Sequence, residues 1–447
     1  MRDFFLVGLI GLGLLASFRY PFAGVLMWVW FTCMDPHQEV FGFAKTLPLN
    51  LYIVIVTLLA WLVSKERRFP PMSATMVAMF LFVVWMTINS FFAVDPDWSW
   101  PLWDRNWKII FLGVFVTLTA TNKYRMHSLV WVVVLSLFYY GVKGGVHTII
   151  TGGGGHVVGP DNSIIGDNNH LAVALAMALP MANYLRIHTA DRRISYALIA
   201  GMVLTAVAIL GTYSRGGLVT LLGLALIGWI RVRGRLIYPI LAALVIVPTI
   251  LFMPQAYDDR ISTMSTINST EKDASFQGRL EAWEVAWDYA SDHFPLGDGF
   301  SGAELPQVFN HYLPNAETHA AHSVFFQVLG DTGFMGLALY LVILVATFLD
   351  CARAKRRARR RPELEWAYDL ANMLQLSLFA FCLGGSALSL AYYDVFFIWV
   401  GLSTALRIYV SDVVRAAVAE KLRDKGKVRF RREPVAAKPP EALPARN

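Results

Sequence analysis

The chain has 447 residues, 56% of them hydrophobic, 13% aromatic and only 16% charged, with a formal net charge of +7. A soluble domain of this length could not cover that much apolar surface, so a membrane protein of many helices is expected, each span needing about 20 apolar residues. Three cysteines exclude a disulfide framework and a CxxC metal pair. The excess positive charge is scattered over short loops and a tail, as membrane topology requires, and points to no nucleic-acid partner.

In chain order, apolar runs fall at Phe4–Ala16, Pro21–Met34, Leu47–Ser64, Ser73–Val94, Trp107–Ala120, His127–Ile150, Asn169–Ile187, Ser195–Thr212, Gly217–Ile230, Leu236–Met253, Ser323–Leu349, Ala367–Leu390 and Tyr393–Val410. The connectors alternate in charge. Lys65–Arg68, Lys123–Arg125, Arg192–Arg193, Arg231–Arg235, Arg353–Arg361 and the tail after Arg415 are basic, and the positive-inside rule makes them cytoplasmic. Asp35–Glu39, Asp95–Asp104, Asp161–Asp167, Pro254–Ala321 and the turn before Asp394 are acidic or mixed and are expected outside. The first two runs are each short for a span and Pro21 interrupts them, so Phe4–Met34 reads as one broken crossing, giving about 12 spans. The N-terminus lacks a small-residue cleavage site and is expected to be retained. The expected division is N-terminal helices over 1–210, a core over 211–410 with a long periplasmic loop at 254–321, and a basic tail at 411–447 forming an interfacial helix and then disorder.

The Pro254–Ala321 segment is the longest polar stretch between spans. Loops this long inside a compact membrane protein are functional or disordered. It carries an Asp/Asn/Ser/Thr cluster at Tyr257–Asp273 and a predicted helix over Gln277–Ser291, whose apolar stripe is read as Leu280, Trp283, Trp287 and Ala290. Arg279 stands at the entrance of that helix beside Gly278.

Positive charges on the expected outer side run against the topology rule: Arg105, Lys108, Lys143, Arg215, Arg260 and Arg279. Asp95, Asp97 and Asp104 are local partners for Arg105 and Lys108, so these two read equally as surface charges or as ligand-binding groups. Lys143 interrupts an apolar run, and an ionisable residue at membrane depth is a functional candidate. Arg215 sits in a tight turn, Tyr213-Ser214-Arg215-Gly216-Gly217, where a guanidinium could grip phosphate bidentately. His319 and His322, three apart with Glu317 nearby, allow either a metal site or acid–base work; no third ligand is spaced convincingly for a metal. With Thr318 as a helix cap, His322 would fall at the positive end of a helix dipole, which favours the neutral imidazole of a general base. A packing histidine is the plain alternative.

Two stretches resemble a known family. His322-Ser323, nine residues, then Gly333-Phe334-Met335-Gly336 is similar to the His-[Asn/Ser/Gln]-x9-Gly-x-x-Gly pattern of bacterial O-antigen ligases. Tyr213-Ser214-Arg215-Gly216-Gly217-Leu218 resembles the Ser-Arg-Gly segment that opens the domain shared by O-antigen ligases and polymerases. The resemblance covers about Gly211–Leu341, and the N-terminal part, with Asp35-Pro36-His37, looks like a subgroup labelled O-glycosylation ligases. Leu337-Ala338 stands where some members have threonines. The resemblance implies an all-α, GT-C-like polytopic enzyme that moves a glycan from undecaprenyl diphosphate to the lipid A-core oligosaccharide at the periplasmic face, without a metal or other cofactor. Carried onto this chain, it makes His322 the catalytic base and Arg215 and Arg279 the diphosphate ligands. Lys143 and Arg105 are counted as further cations for the diphosphate, and His319, Tyr213 and Trp283 as positioning the acceptor. An O-antigen polymerase or a protein O-glycosyltransferase would use the same chemistry. A transporter or flippase fits the helix count, but it should show buried charges in several helices or matched broken repeats, and little of either is present.

Overall fold

The computed structural model describes residues 2–231, 270–314 and 316–430, and every regular element among them is helical. The predicted Leu236–Met253 span, most of the Tyr257–Asp273 cluster, Arg260 and the end of the tail lie outside the described residues. The helices are α1 (Arg2–Arg19), α2 (Pro21–Met34), α3 (Leu49–Val63), α4 (Ala74–Phe91), α5 (Pro96–Thr119), α6 (Lys123–Ile150) and α7 (Asn168–Ile187). They continue as α8 (Arg192–Gly211), α9 (Arg215–Arg231), α10 (Thr270–Asp292), α11 (Pro306–Tyr312), α12 (Val324–Ala358), α13 (Glu365–Gly385) and α14 (Asp394–Phe430). Among the described residues α4, α6, α7, α8, α12 and α14 are long and apolar enough to cross a membrane, and α2, α3 and α9 are shorter apolar helices. The protein is therefore a polytopic helical membrane protein.

Polar residues at the loop–helix junctions set the starts. The side chains of Ser73, Asp95, Asn122, Asp167 and Asp191 each accept a backbone N–H of the helix that follows, which satisfies a donor with no partner inside the helix. Helix α5 consequently begins at Pro96, some ten residues before the apolar run that announces it. Helix α7 lies at the centre, against α6, α8, α9 and α13. Its alanine-rich sequence lets neighbours approach on most sides.

The reading of Phe4–Met34 as one broken crossing does not hold. Tyr20 leaves helical geometry (φ −134°, ψ 88°), and α1 folds back along α2, placing Gly13 against Met27 and Gly24 against Ser17. The Asp3 carboxylate then accepts from the N–H groups of Gly42 and Ala44, both at 3.1 Å, just past the end of α2. The described part of the tail also differs from expectation: α14 continues as one helix to Phe430, with no separate interfacial helix among the described residues.

Among the described residues the two sets of connectors gather at opposite ends of the helices. At the basic end Arg125 pairs with Glu66 at 2.8 Å and His188 with Asp369 at 3.0 Å. Buried Asp350 there accepts from Thr75 and Thr404, each at 3.0 Å, and pairs with Arg407 at 2.8 Å. The polar segment lies at the other end, tied to α4 and α12. Val94 N–H donates to the Asp298 carbonyl at 2.9 Å and Asp298 N–H to the Gly330 carbonyl at 2.9 Å.

That docking occurs where α12 breaks. Gly333 has φ 67° and ψ −173° inside the helix, which interrupts the hydrogen-bond ladder and frees carbonyls of the preceding turn. Each finds another donor: Asp298 N–H for Gly330, the Asn89 amide at 2.6 Å for Asp331 and the Trp85 indole at 2.7 Å for Thr332. The backbone of Pro295 and Leu296 fills the space where a Cβ of residue 333 would stand. The first glycine of the Gly-x-x-Gly pattern thus permits both the break and the docking of the segment.

Candidate active site

Helix α10 and α11 share a small core of their own: Ala282, Val285 and Tyr289 against Val308 and Phe309. The buried face of α10 is therefore Ala282, Val285, Ala286, Tyr289 and Ala290; of the expected stripe Ala290 belongs to it, whereas Leu280 and Trp287 are 38% and 52% exposed. Small side chains go inward because α10 packs closely on α12, and the large ones remain at the margin; Trp287 meets Phe334 edge-on at 5.1 Å.

From residue 316 the chain runs without helix to Ser323, and α12 starts at Val324. The expected cap at Thr318 is absent, and His319 and His322 do not share a helix face. Trp283 holds this run: its indole N–H donates to the Ala321 carbonyl at 2.6 Å, and its ring stacks on Phe326 at 4.8 Å and 3°. The His319 ring fills the space beside Gly278. Under it lies a cavity of about 10 Å³, room for about one water, bordered by Ser301, Glu304, Gln327 and Asp331. Burial raises the pKa of the Glu304 carboxyl.

His322 itself takes a left-handed backbone conformation, φ 41°, which a non-glycine residue adopts at a cost of about 1–3 kcal/mol. Half-buried, its ring is held below the usual imidazole range, first by burial, then by the charge of Arg279 and by His170 and His319. Asp167 acts in the opposite direction. His322 therefore lies where α10, the 316–323 run and the start of α7 converge, and its imidazole is neutral near pH 7.

The Tyr213–Gly217 turn packs on that same start of α7. Asn168 donates through its amide to the Thr212 carbonyl at 2.8 Å. Tyr213, at φ 56°, sends its hydroxyl to the Gly153 carbonyl and sets its ring against His156 at 5.0 Å. Ser214 caps α9 by accepting Gly217 N–H at 3.0 Å. Arg215 is the exposed first residue of α9, so its guanidinium adds to the positive end of a helix dipole.

The other two cations have different neighbours. Lys143 pairs with Glu39 at 3.4 Å, stands over the Tyr139 ring, and borders an open apolar groove of about 710 Å³ between α6 and α8. Arg105 is exposed on α5 and its charge faces Asp35 and Asp394. Among the described residues no group of three or more His, Cys, Asp or Glu is placed to hold a metal ion. Sequence reasoning missed Asp167 and His170 as members of the site. The only local signal is the pattern Asp167-Asn168-Asn169-His170, a capping aspartate followed by a histidine in the first turn.

Two family models match the chain. Residues 1–190 match a family of unknown function, DUF5935, and residues 200–341 match O-antigen ligase. No curated protein matches. The second match spans Arg215, Arg279, His319, His322 and both glycines of the Gly-x-x-Gly pattern. Over residues 200–341 the chain is thus similar to the O-antigen ligase family.

Proposed function

We propose that the protein transfers a glycan from undecaprenyl diphosphate to a hydroxyl of the lipid A-core oligosaccharide at the periplasmic face of the inner membrane, with His322 as general base. The observation that carries this reading is the placement of a neutral imidazole, on a strained backbone, next to Arg279 and to the helix start against which the Arg215 turn is bonded.

The chemistry assigns each group a task. The acceptor hydroxyl attacks the anomeric carbon while its proton passes to His322. The bond from that carbon to the diphosphate oxygen breaks, and the leaving group carries away the electron pair. Arg279 and Arg215 are the fixed cations for the charge that develops there, an interaction worth most in a site shielded from water. Trp283, bonded to the carbonyl of Ala321 beside the base, is assigned with His319 and Tyr213 to positioning the acceptor.

The test is ligation by purified enzyme with a lipid-linked glycan and three acceptors in parallel: core oligosaccharide, a second lipid-linked unit and a peptide. Product on the core alone supports ligation, and product on either other acceptor replaces it by polymerisation or protein glycosylation. His322→Ala should lower the rate by about 10²–10⁴-fold, the usual worth of a general base, while the protein still inserts. A fully active His322→Ala enzyme refutes the base.

A further inference from the structure

Gly141 and Gly145 of α6 bring α8 close, against Thr205 and the backbone of Leu204. Beside that contact the two helices leave the open groove of about 710 Å³. Its walls are apolar at helical spacing: Trp131, Leu135, Phe138 and Val142 on α6, Ile194 and Leu198 on α8. Leu135 and Ile194 face outward, 56% and 41% exposed. From Trp131 to Lys143 the groove follows α6 for about 18 Å, close to the depth of one leaflet, half of a hydrocarbon core about 30 Å thick. Among the residues that line it, Lys143 alone is charged. Its ammonium faces Glu39 at 3.4 Å and lies over the Tyr139 ring at 5.6 Å, and the Tyr139 hydroxyl donates to the same carboxylate at 3.1 Å. That ion pair is longer than the roughly 2.7–2.9 Å of a tight charge-assisted bond, and the Lys143 side chain is 62% exposed. Both partners therefore have room for another group.

We propose that this groove binds an aminophospholipid of the phosphatidylethanolamine type, with one acyl chain along α6 and α8, its phosphate on Lys143 and its ammonium on Glu39. The chemistry at the rim selects the head group. A purely anionic head would reach Lys143 only by bringing its charge against Glu39, whereas a phosphate and a primary ammonium joined by two carbons answer both. A quaternary ammonium has no N–H to donate to the carboxylate, so a choline head satisfies the rim less well. The apolar walls take the chain out of contact with neighbouring lipids, and the two charges fix its register. Lys143 is thereby given to a resident lipid instead of the diphosphate expected from the resemblance. The site is independent of the reaction proposed for His322, and it lies in the part of the chain that matches the family of unknown function, extended into α8.

The test is native mass spectrometry of the full-length protein, stripped of lipid in detergent. It is then offered phosphatidylethanolamine, phosphatidylglycerol and phosphatidylcholine with matched chains, and separately undecaprenyl phosphate. We expect the ethanolamine lipid to bind about fivefold more tightly than the other two phospholipids, the worth of one well-made ion contact. Lys143→Met, which keeps the apolar stem, and Glu39→Gln should each erase that preference. Ala197→Trp, made at an exposed position of the groove wall, should lower retention of all three. Equal retention of the three phospholipids by the wild-type protein identifies ordinary boundary lipid and overturns the proposal. A preference for phosphatidylglycerol, or tighter binding of undecaprenyl phosphate, overturns it as well, the latter by giving the groove to a polyprenyl tail. A preference for the ethanolamine lipid that survives both Lys143→Met and Glu39→Gln places that lipid elsewhere on the protein. Should a variant elute as aggregate, the choice among lipids made by the wild-type protein still decides.

Discussion

The indole of Trp283 grips the chain on both sides of His322: its N–H bonds the carbonyl of Ala321 at 2.6 Å while its ring lies flat on Phe326. One side chain of α10 thereby fixes both the residue before His322 and the first turn after it. Trp283→Phe keeps the stack and deletes the donor, leaving the carbonyl of buried Ala321 without its partner, at a cost of about 1–3 kcal/mol. Ligation should fall about tenfold or more, with the assembled protein still present at near wild-type levels. Equal rates for Trp283→Phe and wild type would show that the bond does not hold the base.

Arg279 is assigned two effects, and pH separates them. As a cation beside His322 it opposes protonation of the ring, so its loss lets the imidazole hold its proton to higher pH. In Arg279→Gln the acid limb of the kcat/KM profile should move upward, and the plateau should drop through loss of diphosphate binding. Arg215→Lys should lower the plateau without moving the limb, because a lysine keeps the charge and loses the planar fork. A limb that stays put in Arg279→Gln would place the guanidinium away from the base.

Gly333→Ala tests the break in α12. The new Cβ would meet the backbone of Pro295 and Leu296, at a φ that L-residues avoid. Neither obstacle is a flexible side-chain end, so the polar segment should detach and the bonds to Asn89 and Trp85 should be lost. The expected result is a clear fall in folded protein, read as the fluorescence-detected elution profile in detergent. A Gly333→Ala protein with a wild-type profile and full ligation would mean the break is dispensable.

Much of the site is legible in the sequence because it is written in local patterns. The turn of Arg215 and the spacing from His322 to Gly333 can be read without coordinates. What those residues do to one another is not written locally. The charges of Asp167 and Arg279 act on His322 only because α7 and α10 both come near the end of the polar segment, a juxtaposition set by packing of distant helices. The buried face of α10 escaped for a different reason: Ala282 and Ala286 give a weak hydrophobic signal, and the eye follows Trp287 and Leu280, which stay outside. Helices α1 and α2 show the limit of counting by length. A short apolar run with a proline beside it fits a broken rod and a hairpin equally, and only the contact of Gly13 with Met27 decides.

The bonds of Asp350 set an order on how the chain is built. Thr75 on α4 is inserted early, yet the carboxylate it bonds lies 275 residues further on, and Thr404 and Arg407 arrive later still. During synthesis the first half of the chain must wait in the lipid with that junction open, and Asp350 enters with Arg353 of its own helix, 3.4 Å away, but before Arg407. A ribosome-bound chain ending ahead of α14 would therefore hold that carboxylate without Thr404 and Arg407, which makes the last helix the closing piece of assembly.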